Sequence, residues 1–187
     1  MKRFLFLPAI IILLFSSCCN KQQVEIDRML LSESDKAWIP YQKGETYLFE
    51  YSNGTELNFH VDQREINQAI MGGEDCGEGY ITYEKMNVLI SSQTPSMFFT
   101  LSIDASVPEP LLGISFNSNQ TYFILNRDLP PDYTSIDING HTYQNVYMLE
   151  KYENSSNIIE PEIIFYNKTE GIIQIKLTDN ETITLKN

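Results

Sequence analysis

The chain of 187 residues is short of basic charge, cysteine, histidine and glycine. Its 13 Lys and Arg face 25 Asp and Glu, a formal net charge of −12. Phosphate recognition needs a basic stripe that displaces counterions, so the composition argues against a nucleic-acid partner. The three cysteines are Cys18, Cys19 and Cys76, and no CxxC occurs. Zinc-ribbon and thioredoxin-like sites therefore have no support. The two histidines, His60 and His141, stand in neither HExxH nor HxH spacing, and GxSxG is absent. Nine glycines and eight prolines are too few for a fibrous or low-complexity chain. No internal repeat is visible. The longest apolar run, Phe4 to Phe15, has 12 residues, against the roughly 20 that a spanning helix needs.

That short run sits behind Lys2 and Arg3 and ahead of Ser16 and Ser17. Positive residues, a short apolar stretch and then small residues are the order of a secretory leader. Phe15-Ser16-Ser17-Cys18 resembles a bacterial lipobox, in which the leader is cut before the cysteine and the thiol carries a diacylglycerol. Cys18 is the expected lipidation site, with Cys19 as a shifted acceptor. Small side chains before the cut favour Cys18, since Cys19 would be preceded by the bulkier Cys18. Cys19 and Cys76 then remain as candidates for a disulfide, which sequence alone cannot pair. Loss of residues 1–17 removes two bases and no acid, leaving 11 basic and 25 acidic residues and a charge of −14. Two or more acyl chains would hold such a body at a membrane without spanning it.

The expected organisation is a leader over 1–17, a lipidated Cys and tether over 18–37, and one all-β domain over 38–187. Val24, Ile26, Met29, Leu30 and Leu31 suit either a short amphipathic helix or a packed strap. Ser32–Asp35 reads as a turn. From Trp38 onward the apolar pattern has period 2, with turn residues every 8–14 positions. Strands are expected near 45–51, 55–62, 80–91, 97–103, 112–116, 120–125, 134–138, 142–151, 162–167, 171–177 and 181–186. Register follows from keeping apolar sets on one face. A three-residue loop at Ser52–Gly54 pairs Phe49 with Leu57 and Tyr47 with Phe59. An odd loop at Thr178–Asn180 pairs Ile175 with Ile183, and a two-residue Asn139-Gly140 turn pairs Ile136 with Tyr143. The fold expected is an antiparallel meander that curves into a barrel, half-barrel or sandwich.

Few residues suggest chemistry. His60 falls on a polar strand face and His141 beside a turn. The segment Gly72–Gly79 carries Glu74, Asp75 and Glu78 with no base, which repels phosphate and leaves a flexible loop or a weak divalent-cation site. Asp137-Ile138-Asn139-Gly140 has only a fragment of a calcium-loop ligand set, and turn chemistry accounts for it. The 11 tyrosines and 10 phenylalanines mostly alternate with polar residues, as core and cross-strand pairs do. No catalytic, cofactor or metal residue is assigned.

Trp38-Ile39-Pro40-Tyr41-Gln42-Lys43-Gly44, followed by Phe49 and Ser52-Asn53-Gly54, resembles a motif near the start of small Bacteroidota-type lipoproteins. Tyr166-Asn167-Lys168-Thr169-Glu170-Gly171-Ile172-Ile173 resembles their C-terminal end. With the leader these stretches cover about a third of the chain, and they imply an envelope location without implying an activity. Trp38 and Tyr41 are expected to cap one end of the core, with Pro40 holding an edge strand. The first expectation is a lipid-anchored outer-membrane protein, on the periplasmic or the surface face. Its β domain would bind a protein or small molecule without catalysis and without a cofactor. The second is a lipocalin-like carrier of a small apolar ligand, and the third an envelope hydrolase.

Overall fold

The computed structural model describes residues 23–73, 79–106, 111–117, 121–152 and 159–186. Its strands are β1 (Glu25–Met29), β2 (Thr46–Tyr51), β3 (Glu56–Gly72), β4 (Tyr80–Gln93), β5 (Ser96–Asp104), β6 (Leu112–Phe116), β7 (Thr121–Leu125), β8 (Tyr133–Ile138), β9 (His141–Glu150), β10 (Pro161–Asn167), β11 (Gly171–Leu177) and β12 (Thr182–Leu185). The described helix, α1 (Glu33–Lys36), is a single turn.

Eleven strands form one antiparallel path in the order β7-β6-β5-β4-β3-β2-β12-β11-β10-β9-β8, and the sheet curls into a half-barrel. Two meanders, β2–β7 and β8–β12, meet where β2 pairs with β12. Beyond β9, the Tyr152 N–H donates to the Tyr122 carbonyl of β7 at 2.9 Å, drawing distant parts of the path together.

The hairpin registers match the period-2 argument. Phe49 faces Leu57 and Tyr47 faces Phe59, with Gly54 at φ +86° closing the loop. Ile175 faces Ile183, with Asn180 at φ +69°. Ile136 faces Tyr143 across Asn139-Gly140, where both φ values are positive. The concave face is packed. Phe49, Phe59, Phe99 and Phe116 form a ladder of rings at centroid separations of 5.2, 5.8 and 5.1 Å. Leu57, Ile90, Ile114, Ile164 and Ile175 fill the spaces beside it, all buried. A smaller cluster of Ile138, Tyr143, Val146 and Ile173 lies beneath the β8–β9 hairpin.

Four local expectations are corrected. Residues 25–29 form no helix; they make a strand that pairs in parallel with the start of β4. Ser32–Asp35 is more than a turn, because Ser32 and Asp35 form a reciprocal capping box that starts α1. Pro40 is not in an edge strand; it lies in irregular chain ahead of β2. β3 also runs ten residues past the expected end at Asp62. With β1 and the first half of β4, those extra residues make an arm whose β3 side chains are mostly exposed.

Candidate functional site

The strap from Ala37 to Tyr41 crosses one end of the half-barrel. Ile39 and Tyr41 are fully buried in it. Four other parts of the chain tie it down. Arg64 of β3 donates to the carbonyls of Ile39 and Tyr41 at 2.9 and 2.7 Å. Tyr166 of β10 donates its hydroxyl to the Trp38 carbonyl. The Ile172 N–H of β11 donates to the Tyr41 hydroxyl at 2.6 Å. Arg127 reaches the Asp35 carboxylate at 2.8 Å, with both side chains mostly buried. Burial raises the hydroxyl pKa of Tyr41 and Tyr166 far above the usual tyrosine value, so both stay neutral hydrogen-bonding groups.

Trp38, half-buried near the start of this strap, packs against the core. Its ring has the Arg127 guanidinium at 5.7 Å and the Lys168 ammonium at 5.5 Å from its centroid. The Tyr147 ring meets it edge-on at 5.7 Å. Each cation–π contact at a partly exposed ring contributes about 0.5–1 kcal/mol. The two stretches that carry the lipoprotein resemblance are thus one structural unit: Tyr166, Lys168 and Gly171 all bear on Trp38 or Tyr41. Trp38 and Tyr41 do close one end of the core.

Beside this unit lies a cleft of about 550 Å3, lined by Ala37, by Thr142–Asn145 of β9 and by Asn167–Glu170 of the β10–β11 turn. The pairing of Tyr166 with Tyr147 brings these segments together. The Asn167 side chain is buried and shapes the turn, its Oδ1 accepting from the backbone N–H groups of Thr169 and Glu170 at 3.1 and 2.7 Å. Its Nδ2 donates to the Gln144 carbonyl at 3.2 Å. Asn145 sits at φ +51°, a left-handed residue inside β9. Glu170 Oε2 is shielded from solvent and has no hydrogen-bond partner. A buried carboxylate oxygen left unpaired costs more than about 1–3 kcal/mol, the figure for a neutral polar group. Most of the polar lining consists of amides and hydroxyls, groups that recognise by hydrogen bonds and do not titrate near neutral pH.

A second cleft of about 330 Å3 lies between the Asn139-Gly140 turn and β12, with Glu50, His141 and Lys186 on its walls. Lys186 is already engaged by Glu50 at 2.8 Å and Glu56 at 2.5 Å. These hydrogen bonds raise the Lys186 pKa and keep the ammonium charged.

The histidines lie apart. His60 is exposed on β3 with Nδ1 at 3.1 Å from the Thr46 hydroxyl, and His141 is exposed with its ring edge-on to Tyr143 at 4.6 Å. Asp137 pairs with the Thr142 hydroxyl across the β8–β9 turn, as its turn reading anticipates. Cys18, Cys19, Glu74, Asp75, Cys76 and Glu78 lie outside the described residues. Among the described residues, no three His, Cys, Asp or Glu side chains converge as a metal-binding group. Comparison with family models, curated proteins and solved structures returns no significant match to the chain. The sequence signal for Glu170 is local: an acid three residues after Asn167, whose side chain shapes the turn; Asn145 has none.

Proposed function

We propose that this chain is a lipid-anchored protein of the bacterial outer membrane, held through Cys18, whose β domain binds a hydroxyl-rich ligand without catalysis. An envelope glycan is the ligand class that fits. The observation that carries the reading is the cleft lining, mostly amides and hydroxyls, with the single carboxylate of Glu170 and the ammonium of Lys168 among them. The Gln144 and Asn145 amides and the Thr142 and Thr169 hydroxyls can take both donor and acceptor roles toward a polyol. The packed ring ladder on the concave face favours this cleft over an internal site for an apolar cargo. The leader and the interlocked lipoprotein-like motifs support the envelope location.

Binding is tested by titrating the purified chain with oligosaccharides released from the envelope, in a calorimeter. Micromolar to millimolar affinity is expected, about −8 to −4 kcal/mol, and Glu170→Gln should weaken it tenfold or more. Lys186→Met, in the second cleft, should leave it unchanged. Equal affinity in Glu170→Gln and the parent would overturn the site. Anchorage is tested by feeding cells an alkynyl fatty acid: Cys18→Ala should lose the label and leave the membrane fraction.

A further inference from the structure

Among the described residues, the arm formed by β1, the second half of β3 and the first half of β4 carries an apolar face whose outer end is exposed, while its inner residues Met29 and Tyr83 pack against the core. Cross-strand partners share a face, so the rows Met71–Ile81 and Ala69–Tyr83–Met29 lie on one side of the arm. Ile26 joins them: a Cβ added to Gly79, which points to the same side as Ile81, would collide with the Ile26 side chain. Ile26 is 67% and Met71 43% exposed. The opposite face is mixed. Glu25 and Arg28 pair there at 2.9 Å beside Thr82, and the apolar Ile66 and Ile70 are separated by Gln68.

The first described residues, Gln23 and Val24, are fixed to this arm. The Gln23 side-chain amide donates to the Gly73 carbonyl, and the Tyr80 N–H donates to the Val24 carbonyl at 3.0 Å. Four residues lie between Cys18 and Gln23, five steps along the chain. At no more than about 3.6 Å per step, they reach at most about 18 Å. A lipid on Cys18 therefore keeps the arm within about 18 Å of the bilayer.

We infer that the face bearing Ile26, Met71 and Ile81 lies flat on the membrane that anchors the chain, as a second, non-covalent contact. This inference rests on lipidation at Cys18. Charge favours a neutral or zwitterionic surface, because Arg28, the basic residue of β1, is neutralised by Glu25. Among the described residues, β1 and distal β3 have no further strand partner, and backbone groups at such an edge cannot enter hydrocarbon. The acids of the connecting segment, Glu74, Asp75 and Glu78, also demand water. The contact is consequently shallow, at the boundary of headgroups and acyl chains.

The test uses the full lipidated chain in zwitterionic phosphatidylethanolamine–phosphatidylcholine vesicles containing brominated acyl chains. The parent has one tryptophan, Trp38, which sets the baseline of quenching. Ile26→Trp and Met71→Trp should each be quenched several-fold more strongly than Ile70→Trp, which reports the opposite face. Mass spectrometry of the N-terminus and the thermal transition are recorded for each variant. Only variants that melt like the parent are compared, and Ile81→Trp replaces any that do not. Lipid on Cys18 with no extra quenching at Ile26→Trp or Met71→Trp overturns the inference and leaves anchorage standing. Shielding from acrylamide without bromine quenching means that protein, such as a second copy, covers the face, and overturns it as well. Absence of lipid on Cys18 overturns both.

Discussion

Gly171 shows how much one atom can matter at the closed end of the half-barrel. Its φ is +81°, a region that costs an L side chain about 1–2 kcal/mol. A Cβ there would also run into the Tyr41 ring and hydroxyl. Tyr41 is fully buried, and its hydroxyl accepts the Ile172 N–H, so the ring cannot yield without orphaning that donor. Gly140 has the same φ of +81° with open space around its Cβ position. The two glycines separate backbone strain from collision. Gly140→Ala should lower stability by about 1–2 kcal/mol, and Gly171→Ala by more than about 3, read from urea unfolding midpoints. Equal losses would mean that Tyr41 has room to move. The glycine pattern alone does not distinguish the two positions. Only the fold reveals what stands over each.

At the level of elements, the strands of the packed body were legible because one face of each is buried. Alternation in Leu57, Phe59 and Val61 gave both β3 and its register, since a one-residue slip would expose all three. The signal fails where burial stops. After a bulge at Asp62, β3 continues through Gln63 to Gly72 with little of either face buried, so no period-2 pattern is written there. β1 is masked for a related reason. A bulge between Glu25 and Asp27 inserts one residue, which turns alternation into the near-helical spacing of Val24, Ile26, Met29 and Leu30. The single-turn α1 depends on Asp35, which closes the capping box and binds Arg127. Burial opposes its charge, but hydrogen bonds from Ser32 and Arg127 outweigh that and hold its pKa below the ordinary aspartate value. A lowered folded pKa means that the unfolded chain binds the proton more readily, so Asp35 stabilises the fold above about pH 4 and loses its effect as pH falls through the folded value. Melting curves of Asp35→Asn and the parent should differ most at neutral pH and converge in acid. A difference that widens on acidification would contradict this linkage.

For the whole molecule, the arrangement that sequence did not disclose is the seam between the two meanders. Hairpins are local and their registers can be argued from a few residues. The β2–β12 pairing joins Ile183 to Tyr51, 132 positions apart, and no local pattern names that partner. The polar cleft is hidden for the same reason, since Asn145 and Glu170 come from separate hairpins and meet only through β9–β10 pairing. A contact that closes so long a loop repays its entropy only once both meanders exist. The seam should therefore form after the rate-limiting step of folding. Ile183 is buried between Tyr51 and Ile175, so Ile183→Ala should cost about 2–5 kcal/mol. In a chevron measured with urea, that cost should fall on the unfolding limb, with refolding little changed. Ile114→Ala, within the β5–β6–β7 meander, is the comparison, because its contacts with Leu101 and Phe123 are local and should already be present at the barrier. Refolding slowed as much by Ile183→Ala as by Ile114→Ala would place the β2–β12 seam in the folding nucleus and reverse the order of assembly.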